Sequence, residues 1–223
     1  MQHAWWAAVT RLGEAQILLP AFLAGTLWLF LGPAVARSPA GTGETRDAPP
    51  ARDSARAWLS KIVAATGLTT ASKIAFLGFG IGSMALDFTG LSGHAMYSMA
   101  ILPVLAALVA GPRGAAIGVL LALAVLVSRV ELHAHSWSEA LGGALLGGAV
   151  ASWTLGRYLR EPTIRRAPWW LPLALAGWLT LLPWRASPAR MHGLVVAMSL
   201  WLADRSEPYT RQELLAGSIH RTR

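Results

Sequence analysis

Long apolar runs separated by short polar stretches set the pattern of this chain. Residues 15–36 and 88–112 carry no charged side chain, and residues 62–86 carry only Lys73. Residues 114–128, 140–156 and 167–184 are shorter runs with charges just outside them, and 191–203 is apolar but short. A membrane span needs roughly 20 apolar residues. A soluble helix would show an apolar stripe of period 3.6. These stretches are apolar all round, which predicts helices in lipid. Trp169, Trp170 and Trp184 bracket one run as interfacial aromatics do. The prediction is an all-α fold, a polytopic transmembrane helical bundle of six or seven spans in one domain over residues 1–223. The count turns on 191–203.

Two stretches break the pattern. Residues 37–56 hold Ser, Pro, Gly and four Arg and read as a solvated polar loop, and residues 204–223 read as a basic tail. Arg11 before an apolar core, with Ala34-Val35-Ala36 beyond it, also fits a secretory signal. The run is long for a signal core, so the expectation is retention as the first span.

Composition agrees. Of 223 residues 54% are hydrophobic and 13% charged, with a net charge of +8. The charged share is about half that of a soluble domain. This excludes a disordered chain and a nucleic-acid module. The absence of cysteine excludes disulfides and thiol catalysis.

Loop charges predict the orientation. Arg37, Arg46, Arg52, Arg56, Arg113, Arg157, Arg160, Arg165 and Arg166 gather on one side. The opposite side has Arg11, Arg129, Arg185, Arg190 and Lys73. The Arg-rich side is expected to be cytoplasmic. Segments 87–93 and 129–139 then share the outer face. If 191–203 spans, the tail with Arg205 and Arg211 falls on the inner side.

Ionisable groups at membrane depth default to a functional reading. Lys73 lies inside an apolar segment, and Asp87, His94, Arg129, Glu131, His133, His135 and Glu139 are the other polar groups near it. A helix starting near His94, a Gly111-Pro112 turn and a returning helix ending near Arg129 bring them to one face. Ser92-Gly93-His94 opening a helix offers free backbone N–H groups to an anion, and Gly93 permits close approach. Arg129 grips phosphate oxygens bidentately, and Lys73 adds a point charge. His135 and Glu139, four apart, share a face if that stretch is helical. Glu139 then accepts from one ring nitrogen and leaves the other free to attack. His94 is placed to protonate a leaving oxygen. His133 reads as a bystander and Asp87 as a turn cap or the partner of a nearby base. Glu131 has no assigned role, and His3, His192 and His220 lie outside the constellation.

These residues resemble the motifs of the type 2 phosphatidic acid phosphatase (PAP2) superfamily, in its integral-membrane branch. Its third motif, S-R-x5-H-x3-D, is matched in spacing by Ser128-Arg129, His135 and Glu139, with Glu for Asp. Its second, P-S-G-H, is met by Leu91-Ser92-Gly93-His94. Its first, K-x6-R-P, is degenerate: Lys73 fits, but Gly80 and Ile81 stand where Arg-Pro is expected, and residues 74–93 hold no other Arg. The resemblance implies a metal-independent phosphatase with no cofactor. His135 would carry a phosphohistidine, oriented by Glu139, with His94 as the acid and Lys73, Ser92, Gly93 and Arg129 holding phosphate. The implied substrates are lipid phosphates or a polyprenyl diphosphate. The Arg-heavy, Lys-poor composition and small size suggest a bacterial inner membrane, and the loop charges put the site on its outer face. A binder or transporter without turnover, and a phosphotransferase to a lipid acceptor, are the alternatives.

Overall fold

The computed structural model describes residues 2–31, 50–159, 167–168 and 188–217. Within them lie seven helices: α1 (Gln2–Arg11), α2 (Ala15–Leu31), α3 (Pro50–Phe79), α4 (Gly93–Glu131), α5 (Trp137–Tyr158), α6 (Pro188–Ala203) and α7 (Arg211–Leu215). No named strand occurs among them; Ser83 and Phe88 form one isolated bridge. The stretches Ala4–Leu31, Arg52–Phe79 and Gly93–Glu131 are long and apolar enough to cross a membrane. The chain is an all-α membrane protein, as the apolar runs predict. The run 169–184 with its tryptophans, most of the loop 37–56, and His220 lie outside the described residues.

The 39 residues of α4 are two antiparallel legs. Gly111, at φ 63° and ψ −145°, leaves helical geometry, a conformation that costs glycine least. Pro112 follows and lacks the N–H to rejoin the ladder. The legs then pack face to face: a Cβ on Gly118 would stand 2.5 Å from the Leu102 carbonyl oxygen. The first leg lies equally close to α5. A Cβ on Gly147 would collide with the Met96 carbonyl oxygen, and one on Gly143 with that of Ser92. Gly147→Ala therefore forces these helices apart. Its expected cost is about 1–3 kcal/mol, read as a lower midpoint of thermal unfolding in detergent. An unchanged midpoint would contradict this packing.

Trp58 knits the other helices to this pair. It is fully buried, meets Phe22 edge-on at 4.7 Å and donates from Nε1 to the Ala100 carbonyl at 3.2 Å. Outside the core, Leu120, Leu145 and Trp201 turn outward, the arrangement expected where the surroundings are lipid.

The contacts fix the direction of each helix. Gly13 packs on His94, and Gly25 on Leu105 and Leu108, so α2 runs alongside the first leg of α4. Thr66 bonds Tyr97 at 2.9 Å, so α3 runs against it. The C-terminal half of α3, the start and end of α4 and the start of α5 therefore meet at one end. Arg52, Arg56, Arg113 and Arg157 lie toward the other.

Two boundaries differ from the sequence reading. Helix α3 begins at Pro50, inside the stretch read as loop, with Asp53 in its first turn complementing the helix dipole. It stops at Phe79 because Gly80 takes φ 66°. A third difference concerns the tail. Arg205 and Arg211, expected on the Arg-rich side if 191–203 spans, are found at the other end. Helix α6 packs its C-terminal half on α3 at Gly78, and Leu214 buries against Phe76, so residues 204–217 lie at the end that holds Lys73.

Candidate active site

All seven candidate residues lie at this end. Ser92 caps α4, its side chain accepting from the Ala95 N–H at 3.5 Å. That cap places Gly93 and His94 in the first turn. A Cβ on Gly93 would meet only Thr69 Cγ2, at 4.0 Å. The space beside the Gly93 backbone is therefore free of protein.

Arg129 sits at the close of α4. The Arg129 carbonyl accepts from the N–H groups of both Ala134 (3.1 Å) and His135 (3.2 Å). This closed turn is the physical content of the five-residue gap between Arg129 and His135. His133, at φ 54°, takes its apex and is exposed, in keeping with a bystander.

The pairing of His135 with Glu139 is present: Nδ1 lies 2.7 Å from Oε2. The route differs from the one expected. His135 precedes the helix, and Glu139 is its third residue. Ser136 caps α5 by accepting from the Glu139 N–H at 3.4 Å, while Oε2 of Glu139 accepts from the Ser136 N–H at 3.2 Å. This is a capping box, and it explains why a glutamate serves here: the motif needs a side chain long enough to reach back. With Nδ1–H given to the carboxylate, Nε2 carries the lone pair. Nε2 makes no hydrogen bond among the described residues.

Glu139 is fully buried and surrounded by donors. Oε1 accepts from the Thr89 N–H at 2.7 Å and the Thr89 hydroxyl at 2.5 Å. Oε2 accepts from His135, from Ser136 and from Nη2 of Arg211 at 2.5 Å. The Glu139 carbonyl takes the Ser92 N–H at 3.0 Å, which locks the second motif to the third. The loop 80–92 is stitched down on both sides. Leu91 N–H donates to Ser72 at 3.0 Å, Ser138 donates to the Leu86 carbonyl at 2.6 Å, and Gly90, at φ 139°, lies on Lys73.

The remaining polar groups are held in place with donors unspent. Arg129 gives Nη1 to Thr10 at 2.9 Å, but its buried Nε has no partner. Lys73 and His94 make no hydrogen bond among the described residues. Lys73 and Arg129 both act electrostatically on His135. An unpartnered buried N–H on Arg129 asks for an acceptor.

Burial pushes the His135 imidazole below its ordinary 6.5, with Glu139 working in the opposite direction. The direction favours the neutral ring at pH 7. Protonation would remove the Nε2 lone pair. The acid limb of kcat/KM assigned to His135, after correction for substrate ionisation, is expected below pH 6.5. A limb above that value would contradict the burial argument.

Three contributors escaped the sequence reading. Thr89 lies in the outer-face segment 87–93 but carries no pattern. Thr10 and Arg211 come from the two ends of the chain. Asp87, read as a cap or the partner of a base, pairs with Arg211 at 3.3 Å.

The family profile of the PAP2 superfamily matches residues 21–161. All seven candidate residues fall inside that range, and Thr10 and Arg211 fall outside it. One relative, an uncharacterized 22.5 kDa protein in the cps region of Klebsiella pneumoniae, is 30% identical over 222 residues. The match covers 94% of this chain and 97% of the relative. No solved structure matches significantly.

Proposed function

The chain belongs to the PAP2 superfamily, and on that premise we propose a metal-independent phosphatase of lipid or polyprenyl phosphates that works through a phosphohistidine. Membership supports phosphoric ester hydrolysis as the class of activity. The observation that carries the finer reading is the His135–Glu139 contact of 2.7 Å with Nε2 left unengaged. In this reading Nε2 attacks phosphorus and the bond to the leaving oxygen breaks. His94 gives that oxygen a proton. Water then attacks phosphorus and passes a proton back to His94, the P–N bond breaks with its electron pair returning to Nε2, and phosphate leaves. Lys73, Arg129 and the backbone N–H groups opened by Ser92 and Gly93 hold the non-bridging oxygens, where negative charge develops.

Lipid substrates suit a site at the end of an apolar bundle, because an acyl or prenyl chain stays in the bilayer while its phosphate meets the polar end. The loop-charge rule puts that end on the outer face of a bacterial inner membrane. That orientation rests on the Arg-rich loops counted in the sequence. A binder without turnover is the second reading, favoured by Gly80 where the first motif carries its arginine. A phosphotransferase would share the first half of the reaction.

The test is phosphate release by the detergent-purified protein in EDTA, against lipid phosphates and a polyprenyl diphosphate, with and without added alcohols. Release is expected. Binding of phosphate or vanadate with no turnover of any substrate would favour the binder, and phosphorylated alcohol would favour the transferase.

A further inference from the structure

The C-terminal stretch reaches into the site. Helix α6 ends at Ala203, and the chain turns back across the end of α3. Tyr209 N–H donates to the Leu77 carbonyl at 2.9 Å, and Leu214 is buried against Phe76. Arg205 stacks on the Tyr209 ring at 3.9 Å and bonds its hydroxyl at 3.0 Å. Thr210 and Glu213 form a capping box that starts α7. These contacts fix Arg211 over the loop 80–92.

Arg211 then binds three groups of the site. Nη1 donates to Asp87 Oδ2 at 3.3 Å, and Nη2 to Thr89 Oγ1 at 3.4 Å and Glu139 Oε2 at 2.5 Å. Oε2 is the oxygen that also holds His135 Nδ1. A fully buried carboxylate needs a partner for its charge. With His135 neutral, Arg211 is the one full cation bonded to Glu139 among the described residues.

We propose that Arg211 is a positioning residue of this site: it holds the Glu139 carboxylate in the orientation that fixes His135, so the C-terminal segment is part of the catalytic apparatus. The proposal rests on the reading of His135 as nucleophile. It also accounts for an arginine at an active end whose first motif lacks one. That charge is supplied to the orienting carboxylate from 72 residues away in sequence.

The test uses the full chain with Arg211→Ala and Arg211→Lys, read by steady-state kinetics and by the 15N-imidazole spectrum of His135. For Arg211→Ala, kcat is expected to fall about 10- to 100-fold, the effect of one charge-assisted hydrogen bond on an aligned group. KM should stay within about twofold, because uniform binding is untouched. Arg211→Lys should recover part of kcat. The parent spectrum should show one tautomer, protonated at Nδ1, and Arg211→Ala should show a mixture. A raised KM with unchanged kcat would overturn the proposal by making Arg211 a phosphate ligand. Unchanged kinetics and an unchanged spectrum would overturn it outright. If the parent turns over no substrate, the phosphatase reading fails and the spectrum alone decides the role of Arg211. If Arg211→Ala does not fold, Asp87→Ala, which removes the Nη1 acceptor and leaves the guanidinium in place, carries the same two readouts.

Discussion

His135→Ala is expected to abolish phosphate release while leaving a folded protein. Glu139 aligns the imidazole, and alanine leaves nothing to form the proposed covalent intermediate. Loss of a nucleophile costs about four to six orders of magnitude in kcat. The fold should tolerate the change. The His135 N–H that closes the turn on the Arg129 carbonyl belongs to the backbone and survives. Ser136 still caps α5 with Glu139. Thermal unfolding in detergent near the parent midpoint, with release at background, is the predicted pair of results. Turnover within tenfold of the parent would remove His135 from the mechanism, whatever the substrate.

Glu139→Gln should be nearly as severe, for a different reason. The carboxylate receives donors on both oxygens: Thr89 twice on one, and His135, Ser136 and Arg211 on the other. An amide has one acceptor oxygen and one donor nitrogen. With its nitrogen toward His135, it turns Nδ1 into an acceptor, moves the ring proton to Nε2 and removes the attacking lone pair. Flipped, it faces the Thr89 N–H with a second donor. Either way a donor is left buried and unpaired, at about 1–3 kcal/mol. The expected fall in kcat is about 10³- to 10⁴-fold, as for a histidine held in the wrong tautomer. Glu139→Asp keeps the charge and gives up the reach to the Ser136 N–H. It should retain more activity than Glu139→Gln at comparable stability. Equal activity in the two variants would show that charge and tautomer do not matter here.

Much of this site is legible in sequence because it is built from short-range geometry. The spacing of Arg129, His135 and Glu139 is one closed turn followed by one helix cap, and Ser92-Gly93-His94 is one helix start. The hairpin that brings them together is written in Gly111-Pro112. The apolar runs reveal the bundle because a lipid-facing helix has no polar side to obscure the signal. Thr10 and Arg211 stay hidden for the opposite reason. Each depends on how a terminal segment crosses a surface formed by other helices, and no periodicity reports that. The side on which residues 204–217 fall is hidden on the same ground. Charge counting weighs arginines as though solvated, whereas Arg211 is committed to a buried carboxylate and Arg205 to an aromatic ring. The length of α3 was also obscured, because a polar first turn beside a proline looks like loop until the helix dipole is considered.

The capping box at Ser136 has a dynamic corollary. One carboxylate both closes the first turn of α5 and holds the His135 imidazole, so that turn cannot fray without releasing His135. Helix ends open on local free energies well below that of global unfolding. The fraction of molecules ready to react is therefore set by a local opening equilibrium, and amide hydrogen exchange at Glu139 and Ala140 would track it. Solvents, lipids or temperatures that loosen one helical turn would lower turnover long before the bundle melts.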